Sequence, residues 1–322
     1  MKGLVRIAVS TALLALLLWK FGARDVFEPM LRAKPGLFAA AFALYCVSQL
    51  LSAARWMWLA RGVGFDLGFR RAAKLYFVGM FFGIVVPSTL GSDAYRALHL
   101  GRQAPGRAFA LSTVLFDRLV GLVALVLVAI TAIRLGPSEP LPARLVAGVN
   151  LIGLALVGGW FAAPFAVGFL PSGNRLRRFV ESDLDPYFRD RRLLATVLGT
   201  SIVVHLLQVA SQDLLVDSIH LAVPYGFVAI YHPLVSLAAA IPFTVGGFGL
   251  REAAYALLLP YAGIKPDDAV ALGLLWWAIG ALGGLVGGLI YLVWPEPKPD
   301  PRDRATVDPV RVDESRGRDS GG

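Results

Sequence analysis

Long apolar runs dominate the pattern of this chain, with few of the alternations that mark strands and few of the stripes that mark surface helices. Residues 4–21, 36–60, 109–133, 145–170, 194–218 and 269–294 are apolar over lengths that suit a bilayer crossing, which takes about 20 residues of helix. Two further apolar regions, 75–95 and 227–262, are interrupted. The first contains Val86-Pro87-Ser88-Thr89-Leu90-Gly91-Ser92-Asp93-Ala94-Tyr95-Arg96. The second contains Ile241-Pro242-Phe243-Thr244-Val245-Gly246-Gly247-Phe248-Gly249-Leu250-Arg251-Glu252. Pro87 and Pro242, Thr89 and Thr244, Gly91 and Gly246, and Arg96 and Arg251 pair at one offset of 155 residues without a gap.

Proline followed by glycine breaks helical hydrogen bonding. Non-helical backbone at membrane depth persists only where protein or a water-filled cavity surrounds it. Both regions are therefore expected to be re-entrant or broken helical hairpins, with Pro87, Thr89, Gly91, Pro242, Thr244, Gly246, Gly247 and Gly249 at the breaks. The alternative is two ordinary spans joined by a tight loop, above all for 227–262.

Loop charge orients the spans, because short cytoplasmic loops collect Lys and Arg. Arg61, Arg70, Arg71 and Lys74 lie in 61–74, and Arg175, Arg177, Arg178, Arg189, Arg191 and Arg192 lie in 171–193. Both segments belong in the cytoplasm. Segment 219–226 has no Lys or Arg and 260–268 has only Lys265, so both belong outside. The outside loop 20–35, with Lys20, Arg24, Arg32 and Lys34, is the exception. The expected fold is an all-α polytopic membrane protein of six full spans plus two hairpins, about eight hydrophobic segments, with both termini cytoplasmic.

Shifted by 155, segment 36–60 overlaps 194–218 and 109–133 overlaps 269–294, while the first span falls loosely on 145–170. Repeat 1 (about 1–135) starts inside and repeat 2 (about 140–294) starts outside. Inverted repeats of this kind place a transporter's substrate near the midplane, between facing broken helices.

Composition agrees, with 57% hydrophobic and 16% charged residues against about one quarter charged in soluble chains. The net charge of +9 sits in short loops that meet anionic lipid, so no nucleic-acid partner is expected. Residues 7–19 read as a retained first helix, since no small-residue cleavage site follows. The single Cys46 excludes an intramolecular disulfide and a cysteine metal cluster. Residues 295–322, rich in Pro, Asp, Arg and Gly, should form a disordered cytoplasmic tail.

Charges inside apolar regions are the candidates for chemistry, because a charge at mid-membrane costs roughly 2.5–3.5 kcal/mol or more. Arg251 and Glu252 follow the glycine break and, as helix neighbours, do not face each other. Arg251 suits the oxygens of a headgroup phosphate, with Glu252 orienting it or taking part in proton coupling. A structural ion pair locking the halves is the alternative. Asp93 and Arg96, one turn apart, can pair on one face, either to bind a headgroup or as a solvated pair at the cytoplasmic mouth, where His99, Arg102 and Arg107 follow. Ser92 or Asp93 reads as the N-cap of a helix start. Asp117 and Arg118 should line the cavity or snorkel near the cytoplasmic surface, and Arg55 should snorkel. His205, Gln208 and Gln212 form a stripe suited to interhelical bonding. Trp19, Trp56, Trp58 and Trp294 fit an interfacial belt. His220 and His232 fall on the outer side, where two His make at most a weak metal site. No Walker loop, H-E-x-x-H or nucleophile elbow occurs, so no catalytic residue, metal or cofactor is expected.

The sequences P-S-T-x-G-S-D-A-Y-R at 87–96, F-D-R-L-V-G-L at 116–122 and P-F-T-V-G-G-F-G-L-R-E-A at 242–253 resemble the transmembrane region family of lysylphosphatidylglycerol synthase, whose members include flippase-like integral membrane proteins. The resemblance covers about residues 5–294. It implies lipid translocation, with Pro87, Gly91, Asp93, Arg96, Asp117, Arg118, Gly246, Gly247, Gly249, Arg251 and Glu252 on the matching motif positions. In bifunctional members a separate cytoplasmic domain attaches an amino acid to the lipid. That domain has no counterpart in this sequence, so neither lipid synthesis nor that lipid is carried over.

The expected function is transbilayer movement of an anionic or polar-headgroup lipid in a bacterial inner membrane. The alternative is an intramembrane transferase or accessory subunit in glycolipid, lipid-linked sugar or hopanoid biosynthesis. Expected partners are a phospholipid or glycolipid substrate, a separate lipid-modifying enzyme and a second copy of the chain.

Overall fold

The computed structural model describes residues 11–12, 15–85, 91–102, 107–135, 142–168, 171, 185–240, 244 and 247–294. Every described element is a helix. After a helical stretch at 15–21, the chain forms α1 (Ala23–Leu31), α2 (Pro35–Gly62), α3 (Phe69–Val85), α4 (Gly91–Leu100), α5 (Arg107–Leu135) and α6 (Ala143–Gly168). There follow α7 (Asp185–Arg189), α8 (Arg191–Ser218), α9 (Tyr225–Ala240), α10 (Leu250–Leu258) with a 3₁₀ turn at Leu259–Ala262, and α11 (Pro266–Val293).

Local chemistry sets these limits. Pro35 and Pro266 occupy the first helical position of α2 and α11, where the missing N–H costs nothing. Asp190 caps α8, accepting from the N–H groups of Arg192 at 3.0 Å and Leu193 at 2.9 Å. Gly247 (φ +80) and Gly249 (φ +86) turn the chain into α10 through conformations that cost other residues. A Cβ at Gly247 would also stand 3.1 Å from Ala239 Cα.

Among the described residues, four helices are long and apolar enough to cross a membrane: Pro35–Gly62, Phe109–Leu135, Arg191–Ser218 and Pro266–Val293. The 17 residues of α3 and 16 of α9 reach about 25 Å, less than a hydrocarbon core of about 30 Å. Each is followed by a shorter helix, α4 or α10. Pro87, Thr89, Pro242 and Gly246 lie outside the described residues, as do most of the run 4–14 and the tail 295–322.

The offset read from two short motifs reappears in the helix limits. Shifted by 155, α2 lands on 190–217 against α8 at 191–218, and α3 lands on 224–240 against α9 at 225–240. α4 and α5 fall within four residues of the starts of α10 and α11. Packing follows the same correspondence: α3 packs on α11 as α9 packs on α5, and α4 on α5 as α10 on α11. The corresponding helices α2 and α8 pack on each other. Ser211 Oγ donates to Ala41 O at 2.7 Å, Arg55 Nη1 donates to Ser201 Oγ at 2.8 Å, and Gly62 lies against Leu193. Numbers rise along one helix as they fall along the other, so the pair is antiparallel.

One end of this pair therefore carries the turn after α2 and the start of α8, the described parts of two arginine-rich segments. The other end carries the start of α2, where Lys34 N donates to Ser218 O at 2.9 Å, and the turn 219–224 that lacks Lys and Arg.

Three expectations are corrected. Segment 20–35 is not a loop: α1 fills it, with Val26 buried against Val270, Ala271 and Leu274 of α11. Segment 61–74 is mostly helical too, since α3 starts at Phe69 and carries Arg70, Arg71 and Lys74 on its first turns. Trp56 is not in an interfacial belt. It is fully buried, and its indole N–H donates to Thr113 Oγ1 at 3.0 Å. Trp19 and Trp294, by contrast, are exposed.

The contact between α3 and α11 is made by glycines. Gly283, Gly284, Gly287 and Gly288 lie on Phe77, Met80, Phe81 and Ile84, a small-residue face of the kind that lets membrane helices approach closely.

Candidate functional site

Two polar clusters are built on helices whose limits correspond at the offset of 155. In the first, α2 supplies Arg55, α4 supplies Asp93 and Arg96, α5 supplies Asp117 and Arg118, and α8 supplies Ser201. Asp117 sits at the centre, accepting from Arg55 Nε at 2.7 Å on one oxygen and from Arg96 Nη1 at 3.1 Å on the other. Arg96 Nη2 donates to Asp93 Oδ1 at 2.8 Å, and Arg118 pairs with the second oxygen of Asp93. The chain Arg55–Asp117–Arg96–Asp93–Arg118 thus ties three helices together. The Arg96 guanidinium also lies 4.7 Å from the Tyr76 ring and 5.2 Å from the Trp56 ring, both within cation–π range.

Desolvating these charges is costly, and mutual attraction offsets it only when geometry is good and hydrogen bonds complete it. Here each carboxylate meets two guanidiniums, and Arg55 gains Ser201 besides.

The pairing of Asp93 with Arg96 follows the expectation. Asp117 and Arg118 part company, with Asp117 buried in the network and the Arg118 side chain 43% exposed. Arg55 does not snorkel: it is 6% exposed and paired inside the bundle, because Asp117 lies within reach. Neither Ser92 nor Asp93 is an N-cap. The helix already includes Gly91, and Asp93 in its first turn serves the arginines.

The second cluster lies where α8, α9, α10 and α11 meet near α2. Glu252 of α10 is fully buried. One of its oxygens accepts the Gly249 N–H at 2.6 Å, closing the first turn of α10 as the third residue of a capping box does. Its other oxygen has no hydrogen-bond partner among the described residues. Glu252 and Tyr255 both pack on Gly273 of α11. The Tyr255 hydroxyl accepts from the Gln212 amide of α8, and its ring lies 5.6 Å from that of Tyr231 of α9. His232 and Tyr45 stand edge-on to Trp276, at 5.4 Å and 5.5 Å. Arg251 is half-buried and directly precedes Glu252 in α10. Thr244, at the break, is buried.

Of the stripe on α8, His205 bonds Gly121 O at 3.0 Å and Gln212 bonds Tyr255, so two of its members join helices as expected. The suggested pair of outer histidines separates: His220 is exposed in a turn, while His232 is buried against Trp276. Among the described residues no group of three or more His, Cys, Asp or Glu is placed to hold a metal.

Sequence reasoning missed Tyr76, Tyr231 and Tyr255, and took Arg55 for a snorkelling residue. A signal for two of them was present, since Tyr76 and Tyr231 stand at the same offset of 155 as Arg96 and Arg251.

A family model described as "Lysylphosphatidylglycerol synthase TM region" matches residues 3–288, a span that includes both clusters. The chain belongs to this family. It is similar to a UPF0104 membrane protein of Methanothermobacter thermautotrophicus, with 22% identity over 316 residues, covering 88% of this chain and 94% of the relative. A UPF0104 membrane protein of Pyrococcus horikoshii is 25% identical over 129 residues, 39% of this chain and 38% of the relative. One from Methanocaldococcus jannaschii is 22% identical over 121 residues, 37% and 36% of the two chains. No solved structure matches significantly. Family and long apolar helices together make the chain a multi-pass membrane protein.

Proposed function

We propose that the protein moves an anionic or polar-headgroup lipid between leaflets, binding the headgroup phosphate through arginine in a cavity between two broken hairpins. The observation that carries this is the correspondence of Arg96 and Arg251. They stand at one offset, near the starts of two short helices, each following an arm whose described part has 17 or 16 residues, with Tyr76 and Tyr231 matched on those arms. The antiparallel packing of the corresponding helices α2 and α8 supports an inverted relation between the halves. Two such sites present similar arginines to opposite leaflets, as alternating access requires. Acyl chains stay in the bilayer throughout.

Asp93, Arg96, Asp117 and Arg118 form one headgroup station and Arg251 with Glu252 the other. At the first station every carboxylate is held by guanidiniums, so a phosphate must compete with Asp93 and Asp117 for Arg96. At the second, a carboxylate oxygen remains open. A transferase reading would need a base or metal ligand, for which Asp93 and Asp117, each held by two guanidiniums, are poorly placed and Glu252, with one open oxygen, is the remaining candidate. Product formation by the purified protein is the result that would favour it.

Vesicles reconstituted with the protein are expected to expose a labelled anionic phospholipid of the inner leaflet to an external quencher at least tenfold faster than protein-free vesicles. Rates equal in the two would overturn translocation of that lipid.

Orientation has its own test. Both termini, the turn after α2 and the start of α8 are assigned to the cytoplasm. With Cys46 replaced by Ala, an impermeant maleimide added to intact cells should label His220→Cys and spare Asp66→Cys, and the reverse pattern would invert the assignment.

A further inference from the structure

Buried polar atoms in proteins are nearly always hydrogen-bonded. Glu252 Oε1 departs from this, since the residue is fully buried and that oxygen has no hydrogen-bond partner among the described residues. A buried carboxylate is costly in its charged form, and taking up a proton removes that cost. The carboxylates of the first cluster are in a different condition, because two guanidiniums hold each of them.

The helices around Glu252 bring it few charges. α10 itself carries Arg251, adjacent in sequence but on another face, and Tyr255. It packs on α9, α11 and the 3₁₀ turn. α9 sets Tyr231 against Tyr255 and His232 against Trp276, and α8 brings Gln212 to Tyr255. α11 touches Glu252 with Gly273 and holds Lys265, Asp267 and Asp268 at its start. Tyr261 of the 3₁₀ turn is exposed, and Tyr45 of α2 meets Trp276. His232 Nε2 and Gln212 Oε1 are also buried without a partner among the described residues, so groups able to bond a carboxyl O–H lie in the same cluster.

This polar set is not repeated along the chain. At the offset of 155, Glu252, His232, Gln212 and Tyr255 stand against Ala97, Phe77, Met57 and Leu100, whereas Arg251 and Tyr231 stand against Arg96 and Tyr76. A role served twice in the molecule suits the arginines. A role served once suits Glu252.

We propose that Glu252 is a proton-binding site that couples lipid movement to a proton gradient, one proton for each cycle. A proton from water on one side forms the Oε1–H bond. The bond breaks when the site opens to the other side, and the proton returns to water there, so Glu252 ends the cycle as the carboxylate it began as. Its other oxygen holds the Gly249 N–H at 2.6 Å, across the turn in which Gly249 has φ +86 and which includes Arg251. A charged carboxylate makes the stronger bond, so protonation loosens the first turn of α10 and the backbone that carries Arg251. The coupling rests on the proposed lipid movement, whereas proton binding does not.

Two measurements separate them. Infrared difference spectra of the full-length protein in detergent, taken between acidic and alkaline buffers, should show a titrating protonated-carboxyl band that is lost in Glu252→Gln. Glu252→Asp keeps a carboxyl and should shift the band rather than remove it. A band that neither variant alters, or no such band, would overturn the proton site. In proteoliposomes, a pH gradient should drive a labelled anionic phospholipid severalfold past equal distribution between the leaflets, and nigericin in potassium buffer should restore equality. In Glu252→Gln the ratio of rates with and without the gradient should fall to one. Movement by the native protein that ignores the pH gradient, or that a sodium gradient drives at constant pH, would overturn the coupling. A Glu252 band in a protein that moves no lipid would count against translocation and leave the proton site standing.

Discussion

Asp117→Ala is expected to destabilise the protein by about 3–5 kcal/mol, the range for breaking a buried ion pair by removing one partner. Asp117 is 2% exposed and is the only carboxylate in the first cluster that touches two buried arginines, Arg55 and Arg96. Its removal leaves both guanidiniums inside the bundle, with Asp93 alone to balance them and Arg118. Asp117→Asn keeps the shape and one acceptor while losing the charge, so its effect should be smaller and of the same sign. Ser201→Ala removes a single hydrogen bond to Arg55 and should cost about 1 kcal/mol or slightly more. Unfolding of purified variants in detergent would order them Asp117→Ala, Asp117→Asn, Ser201→Ala. Equal stability of Asp117→Ala and the native protein would show that the cluster does not hold α2, α4 and α5 together.

Gly287→Leu should cost about 3 kcal/mol, the upper part of the usual range for overpacking. A Cβ at this position would collide with the backbone carbonyl of Phe77, and a backbone atom cannot rotate away as a side chain can. Relief requires α3 and α11 to separate. Gly280 lies on the same helix, but its nearest neighbour to an added Cβ is the Tyr45 hydroxyl at 3.8 Å. Gly280→Ala should therefore leave the unfolding midpoint within error. If Gly287→Leu behaved like Gly280→Ala, the close approach of the two helices would be wrong.

The sequence showed the architecture more clearly than the contacts. Spanning lengths are a property of composition, so the limits of α2, α8 and α11 lie close to their apolar runs. The offset of 155 was legible because proline, threonine, glycine and arginine kept one spacing, and the helix limits lie close to it. α1 was not legible, since nine residues rich in charge look like a loop until Val26 finds the side of α11. Arg55 shows the limit of single-segment reasoning. Near the end of an apolar run, an arginine that snorkels and one that pairs inside look alike, and only the position of Asp117, 62 residues away, distinguishes them. Glu252 was visible as a charge at a break. Its capping of α10 and its open oxygen were not, because both depend on how α8, α9 and α11 surround it. The role of the α11 glycines was not legible, because it depends on the helix they face.

The central claim is that Arg251 engages a lipid phosphate during transbilayer movement. The most direct test is the rate at which a labelled anionic phospholipid becomes accessible in proteoliposomes, compared between the native protein and Arg251→Ala at matched levels of folded protein. The rate should rise well above that of protein-free vesicles with the native chain and fall at least tenfold in the variant, with Arg251→Lys between them because it keeps the charge and loses the forked donors. Equal rates for the native protein and Arg251→Ala would contradict the claim.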